Sequence, residues 1–254
     1  MCTDKPVVMS IAGFDPSGGA GILADCKTFE AIGVPGIAVN TANTIQTDVA
    51  FETCEWLSDD MVMQQLEMLL NRFSVSVVKI GIVQHLSLLQ ELVQLIKEKS
   101  PECKIVWDPV LKASTGFDFH SSAPISKEIH QLLPDIDLVV PNYEEVKAFS
   151  EENTVAGGVK AITRCSHLYL KGGHRKDRLG EDELFLGTSD KTILKPSRND
   201  CTKKHGSGCV LSAAIAAYYY LTKDWEESCR KAKTYTENFL ASTPTLIGKH
   251  LCKI

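Results

Sequence analysis

Nowhere in the 254 residues does an apolar run reach the roughly 20 residues that a membrane-spanning helix needs. A secretory leader is missing as well: Met1 to Lys5 is polar, and the apolar run after it is broken at Gly13 and Asp15. Positive charge is short. Lysine and arginine number 27 against 32 acidic residues, a net charge of −5, so no general basic field invites nucleic acid. No two of the nine cysteines have Cys-x-x-Cys spacing, which argues against a structural zinc site. Their odd number, with no secretion signal, fits reduced thiols in a cytoplasmic protein. Internal repeats, low-complexity tracts and an interdomain linker are absent, so residues 1–254 read as one domain. Two nucleotide-binding signatures are lacking too. The glycine stretch at 13–21 is neither G-x-G-x-x-G nor a Walker A, since no Lys-Ser/Thr closes it.

What the chain does contain is alternation. Val7–Ile11, Gly36–Ala42, Val75–Ile80, Ile105–Trp107, Ile136–Val140 and Leu168–Leu170 are short apolar runs that read as buried strands. Val49–Trp56 reads as a projecting ribbon, and a hairpin is expected within Leu184–Leu194. Helical patterns fall between them. One runs from Ile22 to Ile32 and is stopped by Gly33 and Pro35. Another has Ser58 as N-cap, with Met61, Met63, Leu66, Leu69, Leu70 and Phe73 behind it. Leu86, Leu89, Val93 and Ile96 mark a third, and a short one around Ile129–Leu133 is closed by Pro134. Two helices, about 207–221 and 224–241, end the pattern. Strands alternating with amphipathic helices predict an α/β fold with a mainly parallel sheet.

Two glycine-rich stretches stand out. Gly13-Phe14-Asp15-Pro16-Ser17-Gly18-Gly19-Ala20-Gly21 follows the first strand and opens a helix. Lys204-His205-Gly206-Ser207-Gly208-Cys209 opens the penultimate helix. A helix start offers unpaired amides and partial positive charge, and glycines let a ligand approach the backbone. The second stretch is therefore a cradle for phosphate or developing negative charge. Cys209 falls in the first turn, where a thiol is expected to be more acidic than usual and to serve as a base, the alternative being an inert buried thiol. Other polar groups follow strands: Asp15, Gln46, Asp108, Asn142, Glu145 and Lys171, which a parallel sheet would gather at one edge. Asp108 and Glu145 suit a hydrated Mg²⁺ beside substrate phosphates. Taken singly, Lys171 also reads as a surface lysine, His205 as a satisfied loop histidine and Asp25 as a solvated first-turn carboxylate. Together these features point to phosphoryl transfer, a chemistry of positioning and charge stabilisation.

The motifs that carry a resemblance are Gly13 to Gly21 with Ala24-Asp25-Cys26-Lys27-Thr28, then Lys79-Ile80-Gly81, Asp108-Pro109-Val110, Pro141-Asn142-x-x-Glu145, Lys171-Gly172-Gly173-His174 and His205 to Cys209. In this order, over about residues 7–240, the chain resembles the hydroxymethylpyrimidine/phosphomethylpyrimidine kinases of the ribokinase-like superfamily. The resemblance implies a three-layer α/β/α fold and an ATP- and Mg²⁺-dependent kinase of thiamine biosynthesis. It implies a homodimer that binds neither nucleic acid nor membrane. Gly13, Asp25, Gln46, Ile82 and Val110 would line the pyrimidine pocket. Asn142, Lys171 and His205 would serve ATP and its phosphates, and Asp108 and Glu145 the metal. Gly206, Ser207, Gly208 and Cys209 would form the anion hole and base. The middle motifs are shared with pyridoxal kinases, which leaves a pyridoxal or pyridoxamine kinase as an alternative. The stretch Lys112-Ala113-Ser114-Thr115-Gly116 departs from the usual lid, which keeps a non-catalytic pyrimidine or nucleotide binder as another. Ser207 stands where threonine is usual, and Ser150–Cys165 is short for a helix pair.

Overall fold

The computed structural model describes residues 3–110 and 126–251, apart from 174, 176 and 190. The stretch at 111–121 that reads as a lid, Lys112 to Gly116 included, lies outside the described residues, as does His174. A nine-stranded sheet runs through the molecule in the order β3-β2-β1-β4-β5-β6-β7-β8-β9. Its strands are β1 (Thr3–Phe14), β2 (Gly36–Gln46), β3 (Phe51–Trp56), β4 (Phe73–Ile80), β5 (Lys104–Trp107), β6 (Leu138–Val139), β7 (His167–Leu170), β8 (Asp182–Phe185) and β9 (Thr192–Leu194). The six from β2 through β7 in sheet order are parallel, while β3, β8 and β9 are antiparallel additions at the two edges.

Alternation along the parallel strands assigns residues to two faces. Met9, Ile11, Ile105, Trp107, Val139 and Leu168 join one core, packed by α2 (Asp59–Arg72), α3 (Leu86–Lys99), α4 (Ser126–Leu132) and α5 (Val155–Thr163). Val8, Val77, Val106, Leu138 and Tyr169 join the other, packed by α1 (Gly21–Ile32), α6 (Ser207–Thr222) and α7 (Trp225–Leu240). The result is the three-layer arrangement that the resemblance implies. α6 is small and apolar all round, Val210 to Ala217 being buried without a break, because α1, α7 and the sheet enclose it.

The local signals act as expected at several helix ends. Ser58 accepts the Met61 amide, Thr154 that of Gly157 and Asp224 that of Glu227. His85 caps α3 with a ring nitrogen, which accepts the Leu88 amide. Three details differ from expectation. β2 continues through the polar residues Asn43 to Gln46, because its far half pairs with β3; the polar cluster lies within a strand, not after one. Met61 is half exposed, since the third residue of α2 lies beside its cap and off the buried stripe. Phe73 begins β4 instead of closing α2. The 150–165 segment holds one helix, α5.

Burial sets the expected response to truncation. Leu92 on α3 is fully buried, while Met68 on α2 is 72% exposed. Leu92→Ala should cost about 2–5 kcal/mol in denaturant unfolding and Met68→Ala less than about 0.5 kcal/mol. Equal losses would mean that the core is not where these residues place it.

Candidate active site

The carboxyl ends of β1, β4, β5, β6 and β7 meet the start of α6, and most of the residues singled out in the sequence collect there. Gly206 occupies the left-handed region, φ +69°, and its carbonyl accepts the Val210 amide that starts α6. No side chain caps the helix. The Ser207, Gly208 and Cys209 amides have no acceptor among the described residues, so three donors stand at the positive end of a 16-residue helix. A Cβ at Gly206 would lie 2.0 Å from the Gly19 carbonyl oxygen; the two glycine stretches touch.

Asp15 joins them. Its carboxylate accepts from the Ser17 amide and hydroxyl, the Ala20 amide and the His205 ring, at 2.8–2.9 Å. Burial alone would raise the pKa of this carboxyl; the hydrogen bonds from His205, Ser17 and Ala20 outweigh it and hold the group below its ordinary value. His205 is thus no loose histidine. It is buried, with its Nε2 on Asp15 and its amide on the Leu246 carbonyl.

Lys171 stands beside the cradle, 3.7 Å from where a Cβ on Gly208 would be. It is not a surface lysine. Its Nζ meets Asp108 Oδ1 at 2.6 Å and Glu145 Oε2 at 3.5 Å. Burial would discharge it, but the two carboxylates raise its pKa above the usual lysine value. Glu145 is pushed up by burial and by Asp108, against Lys171. The Asn142 amide donates to Glu145 Oε2 at 2.7 Å, and the Asn142 side chain caps the turn through the Glu144 and Glu145 amides. Ser212, one turn into α6, donates to Asp108 Oδ2 at 2.9 Å. The strand end bearing Lys171 is anchored from behind. Asp182 accepts the Gly172 amide on one oxygen, and the Tyr169 hydroxyl and Lys233 on the other.

On the far side of the cradle, Asp25 is wholly buried, which excludes a solvated carboxylate. Its Oδ2 takes Lys79 at 2.8 Å and Ser10 Oγ at 2.5 Å; its Oδ1 has no partner among the described residues. Cys209 differs from expectation. Burial pushes its thiol up to about 11, in spite of the helix end, the nearby Lys79 and the Gly21 amide that donates to it. Gly13 faces Ile82, whose Cδ1 lies 2.5 Å from a Cβ built on the glycine. Gln46 sits half-buried on β2, where its amide donates to Thr44 and Thr44 to the Phe14 carbonyl. Val110 shares a small apolar cavity with Gly81, Val83, Trp107 and Phe149. Among the described residues, no hydrogen bond or ion pair joins Gln46 or Val110 to Asp25. Among the described residues no three His, Cys, Asp or Glu side chains form a ready metal cluster.

Ser10, Lys79 and Ser212 escaped the reading of the sequence. For Lys79 the signal was present: a lone charge in a strand buried on both faces requires a buried partner. Ser10 and Ser212 carry no such mark.

An uncapped helix mouth, a lysine held between two carboxylates and the buried Asp25–Lys79–Ser10 cluster, all at one edge of a parallel sheet, fit the small-molecule kinases of the ribokinase-like class. The comparisons narrow this further. The family model for phosphomethylpyrimidine kinase matches residues 15–252, and the chain belongs to that family. It is similar to the hydroxymethylpyrimidine/phosphomethylpyrimidine kinase of Salmonella typhimurium, at 32% identity over 95% of this chain and 93% of that one. The enzyme of the same name from Aquifex aeolicus is 31% identical over 94% and 96%. Among solved structures, the phosphomethylpyrimidine kinase of Clostridium difficile superposes with a TM-score of 0.73, at 29% identity, over 91% of this chain and 98% of that one. The pyridoxal kinase of Staphylococcus aureus in complex with ADP superposes with a TM-score of 0.81 over 96% and 93%; at 22% identity that likeness concerns the fold alone.

The Asp15–His205 contact should matter for stability. Asp15→Asn removes the charge that His205 faces and should cost about 1.5–3 kcal/mol at neutral pH. Because the native carboxyl titrates below its unfolded value, this contribution is full above pH ~4 and fades as pH falls through the native pKa. Urea unfolding at pH 7 and at pH 3 checks this: a difference between the two proteins that grew on acidification would contradict it.

Proposed function

We propose that the chain transfers the γ-phosphoryl group of ATP to the hydroxymethyl oxygen of 4-amino-5-hydroxymethyl-2-methylpyrimidine, and then phosphorylates the monophosphate. The observation that carries this reading is the open start of α6, with Cys209 in its first turn and Lys171 alongside. In the first step the acceptor oxygen bonds to the γ-phosphorus while the bond to the β-phosphate oxygen breaks. Three free amides and the Lys171 ammonium face the charge on the moving group. The hydroxyl proton passes to Sγ of Cys209. The free oxygen of Asp25 suits the ring amino group, with Gln46, Gly13, Ile82 and Val110 completing the pocket. Asn142, Lys171 and His205 serve the nucleotide side.

Asp108 and Glu145 are the residues that would hold Mg²⁺. They offer hard oxygen donors beside the open start of α6, which suits a hydrated ion shared with substrate phosphates. When bound, the ion would neutralise the phosphate oxygens. The reading includes a homodimer in the cytoplasm, in keeping with the family resemblance. Among the described residues no helix is long and apolar enough to cross a membrane.

A phosphoryl-transfer panel decides the substrate. The pyrimidine and its monophosphate should turn over with a kcat/KM well above that for pyridoxal and pyridoxamine. Preference for the B6 vitamers would make the chain a pyridoxal kinase, and no turnover at all would make it a binder. Cys209→Ala should lower kcat by about 100-fold or more with little change in KM, as expected for loss of a general base. An unchanged kcat would remove the thiol from the mechanism. Gln46→Ala should chiefly raise KM for the pyrimidine.

A further inference from the structure

Lys79 has no part in the reaction just outlined, yet it is fully buried at the carboxyl end of β4. An ammonium withdrawn from water is retained only with fixed partners. Its Nζ lies 2.8 Å from Asp25 Oδ2. A Cβ on Gly81 would come within 3.0 Å of the same nitrogen, so the chain beyond β4 is shaped around the charge. Ser10 donates to the same Asp25 oxygen, which leaves Oδ1 as the free one. α6 packs on α1, which carries Asp25, and on β4, which carries Lys79. At that contact Gly206 lies against Gly19 and Ala20, and the Gly21 amide, one turn of α1 before Asp25, donates to the Cys209 thiol, which brings the thiol to the side of the ion pair. Each charge acts on the thiol: Lys79 lowers its pKa, Asp25 and Asp108 raise it, and Lys171, on the other side of the helix start, is a second nearby cation. Burial works against the ammonium, but the carboxylates of Asp25 and Asp108 keep it charged.

We propose that Lys79 is a positioning residue of the phosphoryl-transfer site: it holds Asp25 in one orientation with a single oxygen free, and it is the standing cation that favours the thiolate of Cys209. The second half rests on Cys209 acting as base. A base must first be unprotonated, so the thiol loses its proton to solvent before Sγ accepts that of the acceptor hydroxyl. In a pocket where burial opposes the thiolate, Lys79 supplies the compensating charge.

The test is the rate at which iodoacetamide modifies Cys209 in the folded, ligand-free protein at pH 8, followed on the peptide that contains it. A thiol pKa higher by one unit leaves about a tenth of the thiolate, and the compensating gain in nucleophilicity reduces this to a three- to fourfold slower reaction. Lys79→Met should slow modification by about threefold or more, and Asp25→Asn should speed it. Asp25→Asn/Lys79→Met should be slower than Asp25→Asn by a similar factor; this pair avoids a lone buried carboxylate and serves if Lys79→Met does not fold. Lys79→Met should also lower kcat more than it raises KM. A merely structural lysine would give the opposite sign, since a loosened site exposes the thiol and speeds its modification. Equal rates in Asp25→Asn and the double variant would overturn the proposal. If modification slows while kcat holds, the cation acts on the thiol as proposed and it is the base role of Cys209 that fails.

Discussion

The site depends on one contact: the start of α6 is pressed against the loop that follows β1. Gly206 sits on the Gly19 carbonyl, and His205 reaches across 190 residues of sequence to Asp15. Because a left-handed glycine rather than a side chain ends the helix, its first amides stay open. The contact thereby leaves the first amides of α6 exposed beside the loop that leads into α1. Everything else at this edge of the sheet is arranged about that fixed mouth. Lys171, Asp108 and Glu145 lie to one side, and Asp25, Lys79 and Ser10 to the other.

Charge compensation is the second constraint. Carboxylates as buried as Asp25, Asp108 and Asp182 persist only where donors converge on them, and each has a lysine within 2.8 Å. The three lysines differ in what they leave available. Lys233 belongs to an internal brace that holds the Gly172 amide, and so the strand end that carries Lys171. Lys171 is shared between two carboxylates, Asp108 and Glu145. Lys79 pairs directly with Asp25, and its field extends to the thiol. One device, a buried lysine on a carboxylate, thus recurs three times at or behind this edge of the sheet.

How far this was legible from the residues varies with the range of the interaction. The strands with β-branched runs and the helix capped at Ser58 were readable, because period and capping are local. β2 was read too short because Asn43, Thr44 and Gln46 look like a turn until β3 is there to pair with them. The glycine-led helix start at 206–209 was readable. Its acidity was not: a thiol in a first turn is expected to be acidic, and burial by α1 and β4 reverses that. Ser212 is an unremarkable residue of an apolar helix until β5 brings Asp108 to it.

The order of residues along the chain, taken alone, determined the α/β class, the positions of the two glycine stretches and the set of polar groups that end the strands. These follow from periodicity and from the backbone freedom of glycine, which act over a few residues. Only the tertiary structure decided which carboxylate meets which lysine, which oxygen of Asp25 stays free and whether Cys209 is acidic. Those outcomes depend on distance and on exclusion of water between segments far apart in sequence, and neither exists until the layers have packed.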